Sequence, residues 1–182
     1  MCTCLACALD MPVKDPIPCK YILGDSEKQE DGEFVLSVDE KANIYLAVHC
    51  GARVLKVSLP AKKQTELKKI CTKSHIWLRT ASKAKSDDYI VYLEKFTDKQ
   101  GRSLEIFATS SSGEYTHNNL VFNIAEDPNE KSLQVLAGLD IDGIKKFENH
   151  LSALSETYKK LRAIQKEVKK EVSGQQVEEK ET

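Results

Sequence analysis

Apolar and polar residues alternate through much of the first sixty residues, a two-residue period that is typical of half-buried β-strands. The alternation predicts strands in the segments KYILGD, EFVLSVD, NIYLAVH and RVLKVSLP. In the third segment, Ile44, Leu46 and Val48 form an apolar face. Tyr45 and His49 lie on the opposite, mixed face. Because the intervening EKAN and CGA segments are short enough for tight connections, we predict that these strands are antiparallel neighbours.

A helix is predicted after the fourth strand, and the second half of the chain repeats this order. Pro60 ends the strand because proline cannot donate to a strand ladder, and it suits the start of a helix. The following segment AKKQTELKKICTK carries Leu67, Ile70 and Cys71 on one helical face. Further candidate strands are HIWLRT, DDYIVYLEKF, RSLEIFAT, NLVFNIA and SLQVLAG, with turns at DKQG and EDPNEK. This order predicts an α+β fold of two strand-rich antiparallel units, each closed by a helix (ββββα twice).

The closing helix is predicted over DGIKKFENHLSALSETYKKL, with Asp140 or Asp142 as its N-cap. Its apolar residues recur at a 3-4-3-4-3 spacing, at Ile144, Phe147, Leu151, Leu154, Tyr158 and Leu161. This spacing suits an amphipathic helix and also a coiled-coil seam. The seam weakens at Gln165, so we favour a long helix that packs across a sheet of its own chain. An exposed extension from Ala163 to Val172 is then left for a partner.

The chain divides into four predicted segments. These are a flexible N-terminus with cysteines and prolines (1–19), a first repeat (20–74), a second repeat that ends in the long helix (75–172), and an acidic polar tail (173–182). The 27 basic and 28 acidic residues nearly cancel, which is atypical of a protein that binds phosphate over its whole surface. A local basic face remains compatible with this balance.

Composition also indicates where the protein acts. No run of about 18 apolar residues occurs, so we expect no membrane span. The start of the chain lacks the basic segment of a secretory signal, which favours the nucleus, the cytoplasm or both. In these compartments the six cysteines are expected to be thiols rather than disulfides.

No motif in the sequence indicates catalysis, a metal or a cofactor. Three cysteines, at Cys2, Cys4 and Cys7, lie near the start, and Cys19 follows at a distance, which differs from the paired spacing of structural zinc sites. A thiol cluster without a metal is favoured, with lipidation or redox reactivity as alternatives. His49 and Cys50 are strand neighbours that point to opposite faces, so they cannot form a nucleophilic pair. We therefore predict a protein that is not an enzyme and has neither cofactor nor metal.

One face of the predicted sheet combines aromatic and basic side chains. Its candidates in the two halves are Tyr45, His49, Lys56, Tyr92, Arg102 and Phe107, with Lys95 and Lys99 near a turn. Single-stranded nucleic acid requires such a face, because unpaired bases stack on rings while cations contact the phosphates. Glu94 and Glu105 share this face and would repel phosphate. The alternative is an ordinary, half-exposed sheet surface.

Three segments resemble Pur-alpha-type proteins in a divergent form. GIKKFENHLSALSETY is similar to the helix that closes a repeat in that family, SLPAKKQTELKKIC to a strand end with the following helix, and YIVYLEKFTDKQGRSLEI to its long hairpin. Ser103 and Glu105 stand where the family has an aromatic and a basic residue. The resemblance implies two ββββα repeats, as in whirly-type proteins, with each helix over the other repeat's sheet. It also implies binding of single-stranded DNA or RNA without catalysis, in transcription, replication or repair, with Arg102 as the first candidate for contact. Alternation alone adds Tyr45, Lys56 and Tyr92, and Lys99 is a further candidate because it lies near the turn.

A second interpretation is a dimeric scaffold or adaptor. A β-sandwich head that leads into a C-terminal coiled coil is the architecture of scaffold proteins of DNA double-strand-break end joining and of centrioles, which this chain resembles in element order. In this interpretation residues 61–84 form a helical insert between two sets of strands. The helix residues of the homodimer contact are then Leu151, Leu154, Tyr158 and Leu161. A lipid- or peptide-binding β-sandwich is a third option.

Overall fold

The computed structural model describes residues 10–84, 89–111 and 117–178, and describes side chains over 10–81, 90–110 and 119–168. Within these ranges the strands are β1 (Met11–Pro12), β2 (Ile17–Leu23), β3 (Glu30–Val38), β4 (Ile44–Cys50), β5 (Arg53–Leu59), β6 (Tyr89–Thr97), β7 (Ser103–Ser111), β8 (His117–Ala125) and β9 (Gln134–Leu139). The helices are α1 (Gln64–Ala84), which follows β5, and α2 (Ile141–Glu178), which follows β9. Short 3₁₀ turns precede α1, at Ala61–Lys63, and β9, at Lys131–Leu133.

The strands form one antiparallel sheet in the order β5-β4-β3-β2-β9-β8-β7-β6, with β1 paired to β3 beside β2. Each half contributes a four-stranded meander followed by a helix, so the predicted α+β fold with two ββββα units is confirmed. The meanders join where β2 pairs with β9, with Lys20 opposite Gly138. Because β5 at one edge also contacts β8, the sheet curls around its inner face.

The strand positions follow from the alternation of apolar residues. The segments EFVLSVD, NIYLAVH, RVLKVSLP, DDYIVYLEKF, RSLEIFAT, NLVFNIA and SLQVLAG all contain the expected strands. Two of the tight connections depend on left-handed backbone, at Ala42 (φ 63°) and Gly51 (φ 58°). Glycine adopts this conformation without steric cost, whereas alanine does so with strain.

Both helices pack on the inner face of the sheet, and each contacts the half that it does not follow. α1 contacts β7 and β8, whereas α2 contacts β2 and β3 as well as β8 and β9. A single core cluster consequently includes residues from both halves. At its centre lie the rings of Phe34, Phe122 and Phe147, each at most 1% exposed. The two ββββα units therefore share one core.

The prediction of a strand at HIWLRT is wrong, because α1 continues through this segment to Ala84. Leu67, Cys71, Ser74, Leu78 and Ala81 are all buried at a spacing of three or four residues. This helical period outweighs the strand propensity of the isoleucine and tryptophan. The boundary between repeats that was predicted between 74 and 75 consequently falls within a helix. The helical insert of the second interpretation, 61–84, matches the 3₁₀ turn and α1 in its bounds.

The predicted tails are shorter in the structure. The flexible N-terminus (1–19) is wrong from Met11 onward, because β1 and β2 belong to the sheet and Ile17 and Cys19 are buried. Tertiary pairing explains this order, since the Val13 amide donates to the Leu36 carbonyl at 2.9 Å. Residues 1–9 lie outside the described residues. At the other end α2 continues to Glu178, so the predicted tail (173–182) is helical over 173–178, and 179–182 lie outside the described residues.

Asp140 is the N-cap of α2, as one of the two predicted alternatives states. Its Oδ1 accepts a hydrogen bond from the Gly143 amide at 2.7 Å, and its carbonyl accepts one from the Ile144 amide at 2.8 Å. Asp142 instead forms an exposed ion pair with Lys145 at 3.0 Å.

Replacing Asp140 with alanine should lower the free energy of unfolding by about 1 kcal/mol, because the Gly143 amide loses its acceptor. Chemical denaturation measures this loss. Asp140→Asn keeps an acceptor oxygen and is expected to retain most of the stability. Equal losses in the two variants would contradict the capping role.

Candidate interaction surfaces

The outer face of the first meander carries Tyr45 and Lys56, as the alternation predicts. The Lys56 ammonium lies 5.3 Å from the Tyr45 ring centroid, and the Tyr45 hydroxyl donates to Asp39 Oδ2 at 3.1 Å. Burial acts to raise the pKa of Asp39, but hydrogen bonds from Asn43 and Lys41 outweigh it and hold that pKa below its usual range. The Tyr45 ring is therefore fixed by a carboxylate at its hydroxyl and by a cation over one face.

The outer face of the second meander carries a row of apolar residues. Tyr92, 54% exposed, packs edge to face against Phe107 with 5.5 Å between ring centroids. These rings start a cross-strand row of neighbours that continues through Val121 and Gly138 to Lys20. Six strand spacings separate the strand of Tyr45 from that of Tyr92, or about 29 Å along the sheet. The structure therefore does not bring the two predicted groups together on this face.

Arg102 is held in an ion pair with Asp98 of the same turn. Its Nε donates to Asp98 Oδ2 at 2.6 Å, and the two side chains are only 16% and 3% exposed. Backbone amides of Gln100 and Arg102 donate to Asp98 Oδ1, and the Ser58 amide, on the sheet edge β5, donates to Oδ2 at 3.4 Å. The guanidinium thus neutralises a buried carboxylate that ties the β6–β7 turn to β5. Lys99, by contrast, is exposed in this turn.

Other cations on the outer face are also paired. Lys20 lies 2.6 Å from Asp31, and Lys95 lies 2.7 Å from Glu105. The Nδ1 atom of the His49 ring lies 3.8 Å from Glu33 Oε2. These pairs leave little unbalanced positive charge for phosphate groups.

The predicted dimer residues of α2 face their own sheet. Leu151, Leu154 and Leu161 are buried, and Tyr158 is half-buried against the core. The preference for a helix packed across the sheet is confirmed over this stretch. These four residues consequently do not form an exposed dimer face.

The end of α2 beyond Leu161 is different, because it extends away from the core. From Arg162 to Val168 every side chain is exposed except Gln165, whose Nε2 donates to Glu40 Oε2 at 2.8 Å. Ile164 and Val168 are 42% and 51% exposed. Ile164 lies within the predicted exposed extension, Ala163 to Val172, but was not singled out there because the predicted seam passes through Gln165. The signal was the shared spacing of four between Ile164, Val168 and Val172.

The basic outer face of α1 was not predicted either, although several lysines in the sequence of this segment indicate it. Residues 61–84 contain seven basic residues and one acidic residue, a net charge of +6. Four of these cations, Lys62, Lys69, Lys73 and Arg79, are exposed. Lysine is also a good helix former, so lysines in this segment do not by themselves indicate a binding surface.

The described cysteines are buried and face the core. Burial raises the pKa of Cys19 and of Cys71 to about 12 each, and that of Cys50 to about 11, so the thiolate form is disfavoured at neutral pH. Cys2, Cys4 and Cys7 of the predicted thiol cluster lie outside the described residues. Among those that are described, no three histidine, cysteine or acidic side chains are grouped for a metal ion. Neither helix, over its described length, is long and apolar enough to cross a membrane.

Comparison with other proteins adds no evidence on function, so the proposal below is based on the surfaces described above. A search of family models, of curated proteins and of solved structures returned no match to this chain.

Proposed function

We propose that the protein is a non-enzymatic scaffold that self-associates through the projecting end of α2, residues 162–178. The observation that carries this proposal is the exposure of Ile164 and Val168 on a helix that has left the sheet. Two large apolar side chains one turn apart on an exposed helix are typical of a helix–helix contact. A second copy supplies an identical strip, so the contact is self-complementary.

A short heptad seam supports a pair of such helices. Ile164 and Val168 take its d and a positions. Leu161, at the preceding a position, is buried against its own sheet, and the next d and a positions are Glu171 and Gln175, so the apolar contact is limited to about one turn. Flanking positions e and g are Gln165 and Glu167, which do not repel each other across a parallel pair. The cations of this segment, Arg162, Lys166, Lys169 and Lys170, fall at the outer b, c and f positions.

The length of the projecting end supports a weak, concentration-dependent dimer. Residues 162–178 extend roughly 25 Å at 1.5 Å per residue, which is less than three heptads. An isolated helix of this length is marginal because nucleation is costly. Here the first part of α2, which is packed against the sheet, supplies the helix nucleus. The dimer contact therefore needs to bury only the apolar side chains of the projecting end.

Replacing Ile164 with glutamate should weaken the dimer at least about tenfold, because a charge enters the apolar seam. Sedimentation equilibrium over a wide range of protein concentrations measures the dissociation constant. Circular dichroism establishes that the fold is intact.

Ala163→Glu is the matched control, because it adds the same charge at the neighbouring, outward c position. It should leave the dissociation constant nearly unchanged. A wild-type protein that stays monomeric at every concentration would sink the proposal, as would an equal effect of the two variants.

Binding of single-stranded nucleic acid by the outer sheet face stays a prediction. Of its proposed contact residues, Arg102 is committed to Asp98, and Lys56 lies over the Tyr45 ring. Tyr92 and Lys99 remain exposed, but they lie on a sheet whose other cations are largely paired. The projecting helix end therefore supports the scaffold better than this face supports nucleic-acid binding.

A further inference from the structure

The charges of this chain are divided between its layers. Residues 1–60 contain six basic and nine acidic residues, and residues 85–140 contain five basic and ten acidic residues, so the strand-forming segments carry −3 and −5. The segment of α1 carries +6 between them, and residues 141–182 carry +1, which together account for the net charge of −1. A nearly neutral protein thus has an acidic sheet and a strongly basic helix.

The basic side chains of α1 are available to a ligand. Its apolar side, with Leu67, Cys71 and Leu78, is buried against the sheet. On the solvent side Lys69, Lys73 and Arg79 are exposed, as is Lys62 of the 3₁₀ turn that precedes α1, and Lys68 is half-buried at the rim. None of these five cations has a carboxylate within 4 Å in the part of the chain that the structure describes. The only acidic residue of the helix, Glu66, is held by Lys63 at 2.6 Å.

The dimensions of this face match a nucleic-acid backbone. From Lys62 to Arg79 the cations extend over about 25 Å of helix. Double-stranded DNA carries one phosphate charge per ~1.7 Å of its axis, so several phosphates lie within reach of such a row. At the rim Glu148 of α2 lines a shallow depression together with Arg79, and it is paired with His75 at 3.2 Å.

The chemistry of the face favours a duplex over a single strand or a membrane. The one tryptophan of the chain, Trp77, is half-buried and packs against the core, so α1 offers no open ring for an unpaired base. Membrane-surface helices need a broad apolar side for the lipid, whereas the exposed large apolar residue of α1 is Ile76 alone among its described side chains. Lysines without stacking partners are suited to phosphates on a regular backbone.

We propose that the solvent side of α1 binds the phosphate backbone of double-stranded nucleic acid without regard to sequence. Lys62, Lys69, Lys73 and Arg79 make the contacts. This surface lies on the opposite layer from the aromatic sheet face that the sequence predicts as a nucleic-acid site. It is also independent of the projecting end of α2, so either can act without the other.

The test is fluorescence anisotropy of a labelled DNA duplex of mixed sequence, titrated with the full chain at several salt concentrations. With about four phosphates neutralised, the logarithm of the association constant should fall against the logarithm of salt with a slope of about −3.6. Raising salt fourfold then weakens binding by roughly 150-fold. The variant K62Q/K69Q/K73Q/R79Q should lose nearly all of this binding and most of the slope.

The matched control is K20Q/K28Q/K95Q/K131Q, which removes the same charge from exposed, paired lysines of the sheet layer. It should keep the duplex affinity of the wild type to within a few-fold. The proposal is overturned by any of three results: no duplex binding at low salt, equal losses in the two variants, or binding to phosphatidylserine vesicles but not to duplex. A single strand of equal length that binds more tightly, and equally well to the α1 variant, also overturns it.

Discussion

Replacing Phe147 with alanine is expected to lower the free energy of unfolding by about 3 to 5 kcal/mol, the largest effect of any change considered. The Phe147 ring is 1% exposed and lies 5.5 Å from Phe34 and 5.4 Å from Phe122, in edge-to-face contacts. Phe34 and Phe122 are themselves 4.7 Å apart. Because the three rings belong to α2, β3 and β8, the cavity would open where the helix joins both halves.

Chemical denaturation followed by circular dichroism measures this loss. Phe147→Leu, which keeps most of the volume, should cost only about 1.5 kcal/mol. A loss below that value for the alanine variant would show that the neighbouring elements collapse into the space. The size of the loss therefore reports how rigidly α2 is held against the sheet.

Replacing Asp98 with asparagine is expected to cost about 3 kcal/mol, because the Arg102 guanidinium is left nearly buried without its counter-charge. Both side chains lie well below one-third exposure, so solvent screens the pair little. The turn between β6 and β7 should loosen from β5, since Ser58 loses a charged acceptor. The midpoint of chemical denaturation measures the effect.

The pH dependence of stability distinguishes this ion pair from a simple packing effect. Burial acts to raise the pKa of Asp98, but hydrogen bonds from the Arg102 side chain and the Gln100 amide outweigh it and hold the pKa below its ordinary value. A carboxyl with a lowered pKa stabilises the fold above its unfolded pKa of about 3.9 and loses this contribution as pH falls through the folded pKa. The wild type should therefore lose stability in that acidic window, whereas Asp98→Asn should show a flatter profile.

Asp142→Asn is the control for both measurements. The Asp142 carboxylate is paired with Lys145 on an exposed helix turn, where water and salt screen the interaction. Its removal should leave both the denaturation midpoint and the acidic profile nearly as in the wild type. An acidic profile in Asp98→Asn that matches the wild type would mean that other carboxyls dominate the pH dependence.

The local parts of the fold could be predicted because they depend on short-range patterns. The alternation of apolar and polar residues locates the strands, because a two-residue period can be recognised without knowing which strands pair with each other. The helix α1 was cut short because Ile76 and Trp77 favour strands, while the buried positions Ser74 and Ala81 carry no apolar signal strong enough to extend the helix. The pairing of β2 with β9 could not be predicted, because nothing in either strand specifies a neighbour so distant in sequence.

The candidate surfaces were harder to predict because exposure depends on tertiary contacts. Arg102 stands four residues after Asp98 in the same turn, a signal for an ion pair that the resemblance to a nucleic-acid-binding hairpin obscured. Leu151 and Ile164 look alike in sequence, and only the position of the sheet decides that the first is buried and the second exposed. The net charge concealed a basic helix, because the acidic residues of the strands cancel it in the sum.

The pairing of β2 with β9 governs the order in which a growing chain can become stable. The first meander and α1 leave the ribosome before β7, β8 and β9 exist, so α1 has not yet the strands against which it packs, and β2 lacks one of its two neighbours. The β2–β9 ladder can form only when the more than one hundred residues between these strands close into a loop. Topologies with such distant contacts fold slowly. A nascent chain that pauses after Ala84 would expose the apolar side of α1 and one edge of β2. This protein is therefore expected to complete its fold only after β9 has been synthesised, with chaperones as its transient partners until then.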